Sequence, residues 1–327
     1  SLQDMGIFKE SVSDFLSERG FHGQNEVSCR LSASKGVETL CISSGDGFPP
    51  KYIFLLSPVA ETPEEAAEVS DSAWESISKF MKTEGVMPLV ISEDRWNSDR
   101  KTIQARILAH LEIFTQIYAR NCEIRRIEKP EAAEFLSRTH SYGDAACRYR
   151  YGMYLKRHTG HNAEAMAQGR MSVEAGTLIA VATFSNARKW NKGGRIIRSY
   201  EWTRYASLPG VRINGGMGKL LKTFIDEVHP DDIMSYADLE WSDGDVYRQL
   251  GFTLEGRKEP VTFHIDTGTW RRFPVKPGMP VPDDSGLTGS DDSGMEGQDS
   301  SGMTAAGGRF FRNFGSNKYR LKLTEYE

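Results

Sequence analysis

Apolar side chains recur every three or four residues in three long segments of the chain, and this spacing predicts amphipathic helices. The first segment covers residues 6–20 and ends at Gly20, a residue type that commonly closes a helix. The second begins at Thr62, where a threonine cap is followed by a proline and two glutamates. The third, residues 98–120, has the most regular spacing and predicts one continuous connecting helix.

Short apolar or alternating runs lie between these helices and predict strands. In the first part of the chain they fall at residues 37–42, 52–56 and 86–91. Together with the first two helices they predict a small α/β domain over residues 1–95, in which we find no catalytic motif. The connecting helix then occupies residues 96–120.

Residues 121–274 carry a different pattern, in which the predicted elements follow the order β-α-β-β-β-α-β-α-β. The predicted strands are residues 122–128, 149–155, 178–185, 195–205, 233–238 and 262–266. The predicted helices begin near Pro130, Gly218 and Asp243. Three consecutive strands before a helical crossover predict a mixed sheet flanked by helices. The expected fold class is therefore α/β, with a mixed-sheet domain preceded by a smaller α/β domain.

The end of the chain divides into two parts. Residues 275–308 are rich in glycine, serine and aspartate. Such a composition buries too little apolar surface to offset the entropy lost on ordering, so it predicts a flexible acidic insertion. Residues 309–327 alternate aromatic and basic side chains, which predicts a final strand or tail that packs on the mixed-sheet domain.

Charge and cysteine content exclude several classes of protein. The net charge of −4 provides no global basic field for holding nucleic acid. No apolar run reaches the length of a membrane span, and no charged start precedes an apolar core at the N-terminus. We therefore expect a cytoplasmic protein with no membrane partner. The four cysteines form no CxxC pair, so no metal site is expected.

One glycine-rich loop has the composition of an anion-binding site. Arg212, Gly215, Gly216 and Gly218 lie between a predicted strand and a predicted helix, and Lys219 follows them. Glycines let backbone N–H groups approach an anion closely, and the helix N-terminus adds the positive end of its dipole. A pyrophosphate suits such a cradle, although a tight turn into a helix with no ligand has the same composition.

This loop and the segment after it resemble the GNAT family of N-acetyltransferases. Tyr247 lies four residues before a Gly-Phe pair, as in the family, and the loop matches at its arginine and first two glycines. Met217 departs from the family pattern, which has a small residue at that place. The resemblance covers about 200 residues, implies a GNAT-like fold for them, and implies acetyl-CoA or another acyl-CoA as cofactor.

The resemblance also implies roles for individual residues. Glu201, on the strand before the loop, would take a proton from the acceptor as a general base. Tyr247 would protonate the departing thiolate, and backbone donors of residues 205–211 would hold the acyl carbonyl. The implied function is a CoA-dependent N-acyltransferase whose amine acceptor, a small molecule or a macromolecule, the sequence does not name.

A second resemblance concerns phage-associated proteins with a GNAT-like domain and, more distantly, the bacteriophage Mom DNA-modification proteins. It rests on the order of His140, a Tyr-Ala-Asp segment and the tyrosine on the next helix. It implies that Tyr236, Asp238 and Tyr247 face the acceptor and that His140 transfers a proton or binds a metal. From the residues alone, Asp238 could equally cap the helix that follows it.

Local composition leaves the partner open. Basic residues between Arg188 and Arg204 alternate with aromatic ones, including Trp202, which is typical either of a nucleic-acid contact or of a solvated face. Trp241 forms either a wall of the substrate site or part of the surface. Three hypotheses follow: a CoA-dependent acyltransferase, a Mom-like relative that modifies or binds nucleic acid, and a non-catalytic module that lost its cofactor, consistent with Met217.

Overall fold

The computed structural model describes residues 2–24, 35–43, 47, 49–276 and 308–326, so the predicted insertion at 275–308 lies almost entirely outside the described residues. The helices are α1 (Leu2–Ser17), α2 (Pro63–Glu84), α3 (Glu93–Ser98), α4 (Arg100–His110), α5 (Lys129–Thr139), α6 (Ala163–Ala167), α7 (Gly216–Val228) and α8 (Asp245–Gln249), with a 3-10 turn at Ala119–Asn121. The strands of the first half are β1 (His22–Gln24), β2 (Val37–Ser43), β3 (Lys51–Leu56), β4 (Leu89–Ser92), β5 (Thr115–Tyr118), β6 (Cys122–Arg126) and β7 (Tyr149–Leu155). Those of the second half are β8 (Leu178–Phe184), β9 (Arg188–Lys192), β10 (Arg195–Ser207), β11 (Val211–Asn214), β12 (Asp232–Asp238), β13 (Thr253–Lys258), β14 (Thr262–Asp266), β15 (Arg271–Pro274), β16 (Gly308–Arg312) and β17 (Ser316–Lys322).

The N-terminal part is built on a four-stranded sheet in the order β1-β2-β3-β4, in which β3 and β4 run parallel. Side chains of a strand alternate between the two faces of the sheet. Ile53 and Leu55 therefore face a core that includes α1, α3 and α4. Phe54 and Leu56 face the opposite core, which includes α2. This part of the chain is the smaller α/β arrangement that the predicted fold class places before the main sheet.

The predicted continuous helix over residues 98–120 is wrong. Helix α4 ends at His110, and Glu112 has a left-handed backbone with φ of 63°. Residues Thr115–Tyr118 then form β5, which pairs in parallel with β11. Thr115 and Ile117 are buried while the residues after each of them are exposed, which is the period of two of a half-buried strand. The apolar positions of this segment fit both the period of a helix and the period of a strand, and pairing with β11 favours the strand.

The main sheet has the order β13-β17-β12-β10-β8-β7-β6, with β9 paired to β10 as a hairpin. Strands β10 and β12 are parallel, and the other pairs along this path are antiparallel. Helix α7 makes the crossover between the parallel pair, and its Leu220 and Phe224 are fully buried against the sheet. This arrangement confirms the predicted α/β class, a mixed sheet with flanking helices.

The C-terminal segment forms part of the main sheet itself and does not pack on its outside as a tail. Strand β17 is inserted between β12 and β13, where it pairs with both. Strand β16 instead joins β14 and β15 in a separate three-stranded sheet that packs on α2. The predicted strand at 262–266 therefore exists, but it lies outside the main sheet. Its Phe263 and Ile265 complete the core under Phe54, a long-range partnership that local sequence pattern does not encode.

Candidate active site

The central feature of the main sheet is a divergence between its two parallel strands. Strands β10 and β12 pair over Ser199–Glu201 and Asp232–Met234, and their pairing stops there. Beyond this point β10 continues along β8, with a bulge between Trp202 and Arg204, while β12 continues along β17. Strands that part in this way open a gap in the sheet, and a cavity of about 610 Å³ lies at it. Bulges commonly lie next to functional sites because they re-aim side chains.

Many of the residues predicted for the site come together on this cavity. The cavity-lining residues among them are His140, Glu201, Trp202, Tyr236, Asp238, Trp241 and Tyr247. The five residues predicted to bind a cofactor do not line it: Arg212, Gly215, Gly216, Gly218 and Lys219. These five lie on β11 and at the start of α7, and Met217 is the residue of that helix start that reaches the cavity wall.

Tyr247 is placed on the cavity by the short helix α8. Its hydroxyl oxygen lies 2.8 Å from the Ser235 hydroxyl, which in turn lies 3.1 Å from the carbonyl oxygen of Trp202. A serine hydroxyl has one hydrogen, so when it donates to the carbonyl it can accept from the phenol. Burial raises the pKa of Tyr247, so the phenol is protonated at neutral pH and can act as a proton donor.

Glu201 is the half-buried carboxylate at the last position of β10 that pairs with β12. Its backbone is fixed by hydrogen bonds with Ser185, but its carboxylate has no hydrogen bond or ion pair within the described part of the chain. The Arg204 guanidinium is close enough to interact with it through charge, but neither Arg204 nor Arg198 donates a hydrogen bond to it. Arg198 donates to the carbonyl oxygen of Val228, and Arg204 donates to that of Gly143. The Glu201 carboxylate is therefore available to a ligand in the cavity.

His140 and Asp238 occupy a more closed part of the wall. Burial, with the charges of Arg204 and Arg95, lowers the pKa of His140 to about 4, so the imidazole is neutral at pH 7. Its Nδ1 accepts a hydrogen bond from the backbone of Tyr142 at 3.1 Å, and this assigns the proton to Nε2. Asp238 accepts hydrogen bonds from the Tyr142 hydroxyl and from the backbone N–H of Glu240.

Asp238 does not cap the helix that follows it, since Gly244 holds the N-cap position of α8. Its carbonyl oxygen accepts from the N–H groups of Trp241 and Ser242, so the residue shapes the turn after β12. Burial, followed by the charge of Glu240, raises the pKa of Asp238. The carboxylate therefore holds its proton more readily than an exposed aspartate.

The glycines at the start of α7 are required by the turn itself, and the backbone N–H groups there are also open to a ligand. Gly215 has φ of 75°, and a Cβ on Gly216 would meet side-chain atoms of Ile213 at 2.7 and 2.9 Å, so the turn itself requires these glycines. Among the described residues, no acceptor is found for the N–H groups of Gly216, Met217 and Gly218. Open N–H groups are the rule in the first turn of a helix, and they are also what an anion needs.

The two basic residues of this loop differ in whether their side chains can bind a ligand. The Lys219 ammonium donates to the carbonyl oxygens of Ala119 and Cys122 at 3.0 and 2.6 Å, and so holds α7 to the 3-10 turn. The Arg212 guanidinium is exposed and lies 4.3 Å from the ring of Phe114. Arg212 is thus the cation of the loop that remains open to a ligand.

Several cavity residues escaped sequence reasoning. Tyr205 is the clearest: it lies on β10 near Gly216, and burial raises its pKa. Its hydroxyl has no hydrogen-bond partner in the regions that the structure describes. The bulge between Trp202 and Arg204 interrupts the alternation of side chains along β10, so no signal in the sequence indicates Tyr205. Arg106 also lines the cavity, but it comes from α4, and nothing in the local sequence indicates that α4 lies beside β10.

Comparison with known proteins gives little beyond the geometry. No family model matches the chain, and no curated protein matches it. One solved structure that aligns with it is yncA of Salmonella typhimurium, a presumed acetyltransferase solved with its cofactor acetyl-CoA. The two chains are 15% identical, the alignment covers 63% of this chain and 96% of the other, and the TM-score is 0.31, which is too low to assign an activity.

Along the described residues, no helix is both long enough and apolar enough to cross a bilayer.

Proposed function

We propose that this chain is an acyl-CoA-dependent N-acyltransferase that acts in the cavity between β10 and β12. One observation carries the proposal: where the two parallel strands part, a carboxylate that has no partner in the described part of the chain lines the same cavity as a protonated phenol. These are Glu201 and Tyr247. Acyl transfer from a thioester to an amine requires a base for the amine and an acid for the thiolate, and a carboxylate and a phenol are groups of these two kinds.

The residues at the start of α7 fit the pyrophosphate of coenzyme A. Three open N–H groups, from Gly216 to Gly218, and the exposed Arg212 guanidinium would hold it, with the helix dipole adding attraction. Met217, at the cavity wall, would lie beside the pantetheine arm. The Tyr205 hydroxyl, which has no partner in the described residues, would offer a hydrogen bond inside the cleft.

The chain's own residues would then divide the proton transfers. Bound acyl-CoA supplies a thioester as the electrophile. The Glu201 carboxylate would take one proton from the acceptor ammonium, which frees the nitrogen lone pair for attack. The Tyr247 hydroxyl would give one proton to the sulfur as the carbon–sulfur bond breaks, and Ser235 would orient that hydroxyl. The phenolate left on Tyr247 would then take the second proton from the acceptor nitrogen as the amide forms, and the Glu201 carboxyl would release its proton to solvent. The ammonium and the thioester thus give an amide, a free thiol and one proton.

The test is release of free thiol from acetyl-CoA in the presence of an amine panel, followed with a thiol reagent. Tyr247→Phe keeps the ring contacts with Trp202 and Tyr319 and removes the proton donor. We expect kcat to fall about a hundredfold. Tyr118→Phe, which changes an exposed tyrosine of β5, is the control and should leave kcat unchanged. Equal activity of both variants would contradict the role of Tyr247.

A second candidate rests on the β9–β10 hairpin. Arg188, Lys189 and Lys192 are exposed there and form no ion pair with any residue in the described ranges, which favours a nucleic-acid contact. A gel-shift titration with duplex DNA at 50 and 200 mM salt tests this, because phosphate contacts must weaken as salt rises. A chain that binds neither acetyl-CoA nor DNA would instead be the non-catalytic module.

A further inference from the structure

Helix α4 gives the cavity a wall that the main sheet does not supply. Its residues Thr102, Ala105, Arg106 and Ala109 recur at helical spacing, so one face of the helix lines the cavity. The opposite face, with Ile103 and Ile107, is buried in the core of the N-terminal sheet. The N-terminal part of the chain therefore takes part in the site.

Arg106 is the charged residue on that wall, and its hydrogen-bonding capacity is only partly used. Its guanidinium donates to the carbonyl oxygen of Val90 at 2.8 Å and to that of Trp241 at 2.5 Å. A guanidinium carries five N–H donors, so three have no acceptor within the described residues. The group also lies 4.0 Å from the centroid of the Trp241 ring. Two carbonyls and a ring fix its position without neutralising its charge.

The carboxylates nearest to Arg106 are held by other donors. Glu240 accepts from Arg272 and Ser92, and Asp238 accepts from the Tyr142 hydroxyl. Arg106 thus forms no ion pair with any described residue. Burial lowers its pKa to about 10, and the charges of Glu240 and Asp238 oppose this shift only in part. At neutral pH it is a fixed cation that reaches solvent through the cavity. Such a group favours an anion, and the fork of a guanidinium suits a planar carboxylate.

We propose that Arg106 binds a carboxylate of the acceptor, so that the acceptor is a small amine that also bears a carboxylate, the chemistry of a free amino acid. The proposal rests on the acyltransferase function proposed above and names its substrate class. The amine would lie toward Glu201, and the aromatic rings of Tyr236 and Trp241 would pack against an apolar side chain.

The test compares amino acids with their amides, which keep the amine and the side chain but lack the negative charge. Binding of leucine and phenylalanine, and of leucinamide and phenylalaninamide, is measured by calorimetry without coenzyme. We expect the acids to bind at least tenfold more tightly than the amides. Arg106→Met should reduce this preference about ten- to hundredfold, the range of a charged hydrogen bond. Arg106→Lys should keep part of it, because lysine retains the charge without the fork.

Arg100→Met is the matched control. Arg100 lies on the same helix, donates to the carbonyl oxygen of Trp96 at 2.8 Å and stacks on that ring at 4.5 Å, but it is outside the cavity. It should leave the acid-to-amide ratio unchanged. A fraction of unfolded protein does not change the acid-to-amide affinity ratio, because it affects both ligands equally. If Arg106→Met does not fold, Arg106→Lys is the variant that tests the proposal. Equal binding of acids and amides to the wild type, or an equal loss of both in Arg106→Met, would overturn the proposal.

Acetyl-CoA is titrated separately, so the two proposals can fail independently. Acetyl-CoA binding without a preference for acids would remove the carboxylate site and leave the acyltransferase. A preference for acids that depends on Arg106, without acetyl-CoA binding, would remove the acyltransferase and leave the anion site.

Discussion

Two neighbouring groups of polar side chains differ in how fully their hydrogen bonds are used. The interface cluster, Ser92, Asp94, Glu240 and Arg272, joins the N-terminal part to the main sheet. Arg272 donates to Asp94 at 2.5 Å and to the two oxygens of Glu240 at 2.7 and 2.8 Å, and Ser92 completes the set. In the cavity cluster (Arg106, Glu201 and Tyr247), the guanidinium keeps donors and the carboxylate keeps acceptors that no described residue satisfies, and the phenol is held only by Ser235.

The difference separates a structural role from a ligand-binding one. Buried polar groups are normally paired with protein or water, because an unpaired group costs free energy. In the interface cluster the protein meets that requirement itself, and both carboxylates are almost completely buried. In the cavity cluster, the missing hydrogen-bond partners would come from water or a ligand in the cavity. Substitutions in the interface cluster should therefore reduce stability, and substitutions in the cavity cluster should reduce ligand binding or rate.

The largest expected effect is on the interface cluster. Arg272→Met leaves Asp94 and Glu240 buried without their cation, and breaking a buried pair in this way costs about 3–5 kcal/mol. Urea unfolding followed by circular dichroism measures the change. Arg138→Met, which removes an exposed partner of Glu134 on α5, should cost less than about 0.5 kcal/mol. Equal losses in the two variants would mean that the cluster does not join the two parts.

The next effect is on catalysis by the cavity cluster. Glu201→Gln keeps the shape of the side chain and removes the base, so kcat should fall about a hundredfold while the unfolding free energy stays nearly constant. Steady-state thiol release measures the rate. Glu134→Gln, at an exposed position of α5, is the control. A large stability loss with no selective rate loss would assign Glu201 to the structural class instead.

Acid should weaken the interface cluster. Burial alone would raise the pKa of Glu240, but the charge and hydrogen bonds of Arg272 outweigh it and lower the pKa to about 2. A lowered pKa stabilises the folded state fully above the ordinary value of 4.5, and this contribution is lost as pH falls toward 2. The urea midpoint should therefore drop between pH 4.5 and 2, and less steeply in Glu240→Gln.

The smallest effect separates the two explanations of the glycine loop. A Cβ on Gly218 would meet Leu250 at 3.5 Å, an ordinary contact, within a helix. Gly218→Ala should therefore raise stability by up to about 1 kcal/mol. If this glycine lets the backbone approach a pyrophosphate, the same change should weaken acetyl-CoA binding severalfold. A stabilised variant with unchanged affinity would leave the glycine without a ligand role.

Local pattern predicted many elements of the main sheet, because strands such as β7 and β8 and helix α7 carry clear apolar patterns. It failed where one set of apolar residues fits two periods, as at Thr115–Tyr118, and where pairing is long-range, as for β17 between β12 and β13. Strand order depends on contacts across the whole chain, which a single segment does not encode.

Only part of the candidate site could be predicted from the sequence, because some of its residues are brought there by long-range packing. Glu201, Asp238 and Tyr247 follow strands or short turns whose places in a mixed sheet are set by topology, so their convergence could be expected. Arg106 and Tyr205 could not be found in this way. The first depends on how α4 packs against the main sheet, and the second on which face of β10 is exposed after the bulge.

The central claim, that the gap between β10 and β12 receives acyl-CoA, is tested most directly by calorimetric titration of acetyl-CoA into three proteins. We predict saturable binding of one equivalent to the wild type, at least tenfold weaker binding to Met217→Trp, which narrows the cavity, and unchanged binding to Met166→Trp, which alters an exposed methionine on α6. No binding to the wild type at millimolar coenzyme, or equal affinity in all three proteins, would contradict the account.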